Sequence, residues 1–198
     1  MSSQTLHRRP PAGSWDAVAR VDLRRYPLAE EELLLLARHL PVLHGQTAAG
    51  AGCGEGDLAR YVHDAYGVSV TGYDWSTATL AAARRFPRPR VSFVRHDLNS
   101  GPPPGLVHAG LELVVCRQTV GCLADPGAWL HEIRTHWLRP RGLLFLSDVL
   151  ISEAQARPAC GGLTERTIAQ ITSNWACTVR YDLTGQLVTC FILRNSVI

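Results

Sequence analysis

The chain has 198 residues, of which 46% are hydrophobic, and a formal net charge of +3 at pH 7. This length and composition predict one soluble globular domain with a core of its own, and so small a charge does not by itself indicate binding to nucleic acid or to an anionic membrane. All 20 basic residues are arginine, which excludes enzymes that depend on a Schiff-base lysine and ATPases that depend on a phosphate-binding lysine.

Two helices are predicted near the N-terminus, over SWDAVARVDLRRY at residues 14–26 and LAEEELLLLARHL at residues 28–40. The leucine spacing of the second helix gives it an apolar face, and Pro41 ends it. We interpret residues 1–40 as an N-terminal extension and helical cap. Residues 41–198 are interpreted as the main ligand-binding domain, so that the whole chain forms a single unit.

Strands and helices then alternate along the chain. Ser76 and Pro126 stand where a capping residue and a first-turn proline would start two of the helices. The predicted strands are QTAAGAG, GVSVTGYD, RVSFVRHDL (ending at Asp97 and Leu98), LELVVCRQ, GLLFLSDVL, CTVRYDL and QLVTCFILRN. The predicted helices are residues 57–65, STATLAAARRF, PGAWLHEIRTHWL and TERTIAQITSNW.

One crossover is predicted as a loop, because NSGPPPGLVHAG contains too many prolines for a helix. The last two strands flank Thr184 and Gly185, which reads as a hairpin turn. Alternating strands and helices imply a parallel sheet covered on both faces. We therefore predict an α/β, Rossmann-like, doubly wound sheet of seven strands, mostly parallel with one antiparallel edge strand, and a ligand at the carboxyl ends of the strands.

The first strand leads into AAGAGCGEG at residues 48–56, where glycines alternate with other residues. Glycine backbone allows a tight turn and the close approach of a ligand. The pattern is G-x-G-x-G, formed by Gly52, Gly54 and Gly56, whereas dinucleotide-binding loops have G-x-G-x-x-G. In that longer pattern the third glycine would fall on Asp57, whose carboxylate would repel a pyrophosphate.

Three residues at later strand ends extend this site. Asp74 lies about 20 residues beyond the glycines, where a carboxylate can accept from both ribose hydroxyls, and Trp75 places an aromatic face beside it. Asp97 ends the third strand, where it could accept from an exocyclic amine. This set describes an adenosine whose tail is not a phosphate, although either acid could instead be a strand-end or turn-capping residue.

With these residues the sequence resembles the class I S-adenosylmethionine-dependent methyltransferases from about Leu35 to the C-terminus. The resemblance is carried by GAGCGEGDLARYV, VTGYDWS, VSFVRHDL, LELVVCRQ and LRPRGLLFLSDVL. It implies S-adenosylmethionine as the cofactor and S-adenosylhomocysteine as its product. The cofactor-binding residues that it implies are Gly52, Cys53, Gly54 and Gly56 for the methionine part, Asp74 and Trp75 for the ribose and adenine, Asp97 and Leu98 for the adenine edge, and Cys116 near the sulfonium.

Two features depart from the family pattern. Gly50 stands where the family has an acid that helps to hold the methionine amino group, and Glu55 is the residue that might compensate for it. The first strand, QTAAGAG, also lacks the bulky apolar residues that are usual there.

On the substrate side, Arg117 and Gln118 follow the fourth strand, and Trp15 and Tyr26 belong to the predicted N-terminal cap. Each could contact the methyl acceptor, or could only pack or be solvated. No catalytic residue is assigned, because methyl transfer mainly requires alignment of the nucleophile and exclusion of water. We expect a small-molecule acceptor from primary or secondary metabolism, methylated at O, N or C, and no nucleic acid or membrane partner.

Two alternatives stay open at this point: a non-catalytic or repurposed protein of the same fold, such as a partner-binding subunit or a cyclase, and an NAD(P)-dependent oxidoreductase. The six cysteines include no C-x-x-C pair, so we predict reduced thiols and no metal site. No apolar run approaches the length of a membrane span, and the first residues do not resemble a secretion signal. We therefore expect a cytoplasmic protein.

Overall fold

The computed structural model describes residues 27–40, 45–156, 162–183 and 187–195. The helices are α1 (Glu30–His39), α2 (Asp57–Tyr66), α3 (Thr77–Ala83), α4 (Pro126–Glu132) and α5 (Glu165–Thr172). The strands are β1 (Thr47–Ala51), β2 (Ser69–Asp74), β3 (Val91–Arg95), β4 (Leu111–Arg117), β5 (Leu138–Val149), β6 (Cys177–Asp182) and β7 (Val188–Arg194). Short 3₁₀ turns cover Leu98–Ser100 and Val120–Cys122, and a π-helical turn over Ile133–Trp137 continues α4.

The strands form one seven-stranded sheet in the order β3-β2-β1-β4-β5-β7-β6. Neighbours from β3 to β5 pair in parallel, whereas β7 is antiparallel to both β5 and β6. The predicted Rossmann-like, mostly parallel sheet is therefore confirmed, and the antiparallel strand lies between β5 and the edge strand β6. Because β1 to β5 point the same way, their carboxyl ends meet at one edge of the sheet.

Helix starts follow the predicted caps. The Ser76 hydroxyl accepts from the Thr79 N–H at 3.2 Å and begins α3. The Asp125 carboxylate accepts from the Ala128 N–H at 2.9 Å, with Pro126 in the first turn of α4. These side chains satisfy backbone donors that the first helical turn leaves unpaired.

Apolar side chains cover both faces of the sheet, and alternate residues of each central strand point to opposite faces. On one face, Trp129, Ile133 and Trp137 from α4 and its continuation are at most 5% exposed. On the other face, Leu36 of α1 and Val62 of α2 are fully buried. This packing leaves the carboxyl edge of the sheet to be shaped by loops.

The weakly apolar first strand has a packing reason. Gly50 and Gly72 are paired across β1 and β2, and the side chain of Cys53 folds back against both of them. A Cβ added to Gly72 would lie 2.9 Å from Cys53 Sγ, and one added to Gly50 would lie 3.5 Å from Cys53 Cβ and 3.7 Å from Ala59 Cβ of α2. A large side chain at Gly50 or Gly72 would displace this thiol, and one at Gly50 would also push α2 away.

One predicted boundary is wrong. The third strand ends at Arg95 rather than at Asp97 and Leu98, because Asp97 Oδ1 accepts from the Asn99 N–H at 3.1 Å and caps a 3₁₀ turn. The predicted loop crossover is confirmed from Gly101 to β4. The first predicted helix with Trp15 and Tyr26, together with Pro41, Cys160, Thr184 and Gly185, lies outside the described residues.

A buried carboxylate, that of Asp148, lies next to the last residue of β5. Asp148 is 1% exposed and accepts from the Val149 N–H at 2.8 Å and the Gly121 N–H at 3.2 Å. Loss of hydration raises the pKa of Asp148 to about 6, although these backbone donors oppose the rise.

None of the described helices has the length and apolar character of a membrane span.

Gly72→Ala should lower the free energy of unfolding by about 1–3 kcal/mol, the usual cost of overpacking, because its Cβ would lie 2.7 Å from Phe93 Cδ1 and 2.9 Å from Cys53 Sγ. Gly50→Ala, whose Cβ meets only ordinary contacts, should leave stability unchanged or raise it by up to ~1 kcal/mol. Urea unfolding of both variants measures this difference. Equal losses in the two variants would contradict the packing argument.

The raised pKa of Asp148 predicts a pH dependence of stability. The folded state holds the proton more tightly than the unfolded chain, so stability should fall as pH rises from the unfolded value of 3.8 to about 6. The fall attributable to this group is about 3 kcal/mol. Urea unfolding at pH 4 and pH 7 measures the change in the free energy of unfolding. This decrease should be smaller in Asp148→Asn than in the wild type, whatever the absolute stability of the variant. Identical decreases would refute the role of Asp148.

Candidate functional site

The glycine loop is joined directly to the end of β2. The Gly54 N–H donates to Asp74 Oδ2 at 2.8 Å, and the Cys53 N–H donates to the Tyr73 carbonyl at 3.0 Å. These bonds fix the loop against the neighbouring strand end. The three glycines of the loop and Asp74, which the sequence predicted as one site, are thus brought together.

The outer surface of the loop is open at its middle glycine. Gly54 has φ +52°, and a Cβ added there would meet nothing within 4 Å. Gly52 differs, because its added Cβ would lie 2.0 Å from the Thr119 hydroxyl oxygen. A ligand can therefore approach the loop backbone at Gly54, with Thr119 forming the neighbouring wall.

Asp74 is held in place by more than the loop. Its Oδ1 accepts from the Ser76 N–H at 2.8 Å and from the Thr79 hydroxyl at 3.3 Å. The side chain is half-buried at the carboxyl end of β2. Hydroxyls of a bound ribose would add to these donors or displace them.

The predicted adenine-side residues lie at the next two turns. Trp75 is half-buried, and the Arg95 guanidinium lies over its ring at 4.9 Å from the centroid. Asp97 is half-buried with its carboxylate capping the turn that follows β3, and Leu98 is 8% exposed. The Trp75 ring thus stands beside Asp74, with a cation on one face.

The two predicted cysteines, Cys53 and Cys116, differ in exposure. Cys116 is 1% exposed in β4, and Cys53 lies under the glycine loop. Burial raises the pKa of both thiols well above the ordinary value, Asp148 adding to the effect at Cys116 and Asp74 at Cys53. Both thiols are therefore neutral; Cys116 is buried within β4, and Cys53 is partly exposed beside Gly72.

Arg117 is tied to a residue that the sequence did not single out. Its Nε donates to both carboxylate oxygens of Glu32, at 3.1 and 3.0 Å, and a terminal nitrogen donates to Oε1 at 2.9 Å. Glu32 comes from α1, is fully buried, and also accepts from the Ser147 hydroxyl of β5. A buried carboxylate requires such partners, but in sequence it is one of three consecutive glutamates without a distinguishing signal.

Gln118 occupies an unusual backbone conformation at the end of β4. Its φ is +50°, a region that a residue with a Cβ rarely adopts, and its N–H donates to the Ser147 carbonyl at 2.7 Å. Such outliers concentrate at functional sites. Gln118 thus lies at the turn directly after β4 and is fixed to β5 by this hydrogen bond.

The structure places Glu55, the candidate to compensate for the missing acid, within the glycine loop, two residues before α2. It is exposed and lines a cavity of about 450 Å³ between α2 and α3, together with Arg60 and Arg85. Within the described part of the chain, no three His, Cys, Asp or Glu side chains form a group that could hold a metal ion.

The sequence analysis did not identify Asp148, which lies near the end of β5. The signal for it was available, because Asp148 is a single acid within an apolar strand.

Residues 50–144 match the family model described as "Methyltransferase domain". This range contains the glycine loop and all the predicted adenine and ribose contacts. No curated protein sequence matches the chain.

Solved structures share the fold at low sequence identity. A methyltransferase from the complex with the Haloferax volcanii Trm112 methyltransferase activator is 17% identical, with a TM-score of 0.74 over 96% of this chain and 100% of that one. An S-adenosylmethionine-dependent methyltransferase from Mesorhizobium loti is 20% identical, with a TM-score of 0.63 over 82% and 97%. Haemonchus contortus phosphoethanolamine N-methyltransferase 2, solved with S-adenosylmethionine, is 21% identical, with a TM-score of 0.64 over 78% of this chain and 38% of that one.

Residues 50–144, which contain the glycine loop and Asp74, therefore match a methyltransferase domain, and the chain has the Rossmann-like fold of these methyltransferase structures.

Proposed function

We propose that this chain is an enzyme that transfers the methyl group of S-adenosylmethionine to an O, N or C nucleophile of a small molecule, a metabolite or natural-product intermediate, in the cytoplasm. The observation that carries the proposal is the 2.8 Å hydrogen bond that joins the Gly54 N–H to Asp74. It sets an open glycine backbone beside a carboxylate at adjacent strand ends, as an amino-acid tail and a ribose require.

The residues present fit the cofactor. The open surface at Gly54 would receive the methionine part, and Asp74 would accept from the ribose hydroxyls. Trp75 would pack on the adenine, and Asp97 with the backbone of Leu98 would contact its edge. Bound S-adenosylmethionine supplies a methyl group activated by a sulfonium centre.

The chain's own part in the reaction is to orient the acceptor and exclude water. Alignment of two reactants can contribute about 7–11 kcal/mol to lowering a barrier. Gln118, held by Ser147, and the Arg117–Glu32 pair lie at the ends of β4 and β5, where the acceptor would stand. A small acceptor is favoured because the net charge is only +3 and Arg117 is occupied by Glu32.

A second candidate is a protein of this fold that acts through a partner instead of by catalysis. It is supported by Gly50, which leaves the cofactor side without the acid that the family pattern has at this position. Calorimetry with S-adenosylhomocysteine distinguishes the two. Affinity in the micromolar range supports the enzyme, and no binding at high micromolar concentration supports the non-catalytic protein.

Asp74→Asn should weaken S-adenosylhomocysteine binding at least tenfold, about 1.4 kcal/mol, because it removes the charge and one acceptor from the ribose site. Isothermal titration calorimetry measures the dissociation constant. Asp64→Asn is the matched control, since Asp64 lies on α2 and forms an exposed ion pair with Arg88. This variant should bind S-adenosylhomocysteine as tightly as the wild type does. Equal affinities for Asp74→Asn and wild type would refute the assignment of Asp74.

A further inference from the structure

The positive charge of the chain is concentrated in one segment, residues 84–95. Five of the 20 arginines and none of the 17 acidic residues lie in this segment, whose sequence is RRFPRPRVSFVR. It therefore carries a formal charge of +5, whereas the other residues together carry −2. A cluster of one sign attracts a partner of opposite charge even where the net charge of the protein is small.

This segment lies at an edge of the sheet. It leads from the end of α3 into β3, the first strand in the order of the sheet. Among the described strands, β3 pairs with β2 alone. The arginine-rich segment therefore borders a strand whose outer side is not covered by another described strand.

The backbone of β3 directs hydrogen-bonding groups to that outer side. Its bonds to β2 involve the Arg90 carbonyl and the His96 N–H. Because the backbone groups of successive strand residues point to opposite sides, those of Phe93 and Arg95 point outward. The Phe93 carbonyl agrees with this direction, since it accepts from the Arg84 guanidinium at 2.7 Å. An open strand edge of this kind can pair with an extended segment of another chain.

Apolar side chains are exposed at the same edge. Phe86 is 62% exposed and Val94 is 38% exposed. The crossover from Gly101 to β4 is a loop, and Val94 and Ser92 stay exposed on that face of the sheet. An added strand would find contacts there for its own alternate side chains.

Several of the arginines are open to a partner's carboxylates. Arg85 and Arg90 are exposed and form no ion pair within the part of the chain that the structure describes. Arg88 is paired with Asp64 at 3.1 Å, and both side chains are nearly half exposed. An exposed pair contributes little stability, so that Arg88 can exchange this partner for another carboxylate at low cost.

We propose that residues 84–95 form a docking surface for a partner protein that supplies an extended segment rich in Asp and Glu, which pairs with the outer side of β3. A second copy of this chain is disfavoured, because it would bring the same five arginines against these. The phosphates of a nucleic acid would satisfy the arginines but offer no N–H groups to the outward carbonyls of β3. A peptide supplies donors, acceptors and carboxylates together.

The proposal is independent of methyl transfer, since none of its contacts uses the glycine loop or Asp74. The test measures binding of short fluorescent peptides to the full chain by fluorescence anisotropy, at low and at high salt. The first peptide alternates Glu and Val, the second has Gln in place of each Glu, and the third is the first peptide with methylated backbone nitrogens. A labelled single-stranded DNA of the same charge represents nucleic acid.

We expect the wild type to bind the Glu–Val peptide at low salt and to lose affinity as salt rises. The Gln–Val peptide and the methylated peptide should each bind at least about tenfold more weakly, because they lack the charges or the strand donors. Arg85→Glu should weaken binding of the Glu–Val peptide about tenfold. Arg166→Glu is the matched control, because it makes the same change of charge at an exposed residue of α5, and it should stay within about threefold of the wild type.

Four results would overturn the proposal. Equal affinity for the Glu–Val and Gln–Val peptides would show that the charges play no part, and equal affinity for the methylated peptide would show that β3 accepts no added strand. Binding of the DNA without binding of the Glu–Val peptide would make the segment a nucleic-acid site. Binding of neither would leave the arginines as groups that keep this edge from pairing. Circular dichroism confirms that each variant is folded, and should Arg85→Glu not fold, the comparison of the three peptides on the wild type decides.

Discussion

The hydrogen bond between the Gly54 N–H and the Asp74 carboxylate is the constraint on which the site depends. Parallel pairing of β1 and β2 brings the two residues to one edge of the sheet, and the 2.8 Å bond then fixes the loop that follows β1. A second bond, from the Cys53 N–H to the Tyr73 carbonyl, holds the same turn. Two neighbouring strand ends thus form one rigid surface, and a ligand finds its backbone donors and its carboxylate already in position.

The other half of the edge is organised by buried charge. Glu32 and Arg117 link α1 to the end of β4, and Ser147 joins them from β5. Removing one partner of such a pair leaves an uncompensated charge and costs more than the pair itself contributes. The helix α1 is for this reason tied to the ends of β4 and β5, and it also covers the apolar face of the sheet with Leu36.

Local signals were sufficient for most of the fold. Apolar runs of strand length, the cap at Ser76 and the proline at the start of α4 are short-range features, and each predicted its element. The end of β3 was missed because Asp97 can either close a strand or cap a turn, and the choice depends on Asn99. The ion pair of Glu32 with Arg117 and the contact of Thr119 with Gly52 could not be predicted, because they join residues far apart in sequence.

Gly50 connects these observations, since one substitution affects both packing and charge. A side chain larger than alanine at Gly50 would press on Cys53 and on Ala59 of α2, so a small residue at this position follows from how the loop is supported. The same choice leaves the cofactor side without a carboxylate at this position. A neutral hydroxyl has a smaller desolvation cost than an ionised acid, and Thr119 can therefore lie close against Gly52 without a counter-ion. The loop would then hold the amino-acid tail mainly through its backbone groups, with the negative charge of the site concentrated at Asp74 and directed to the sugar.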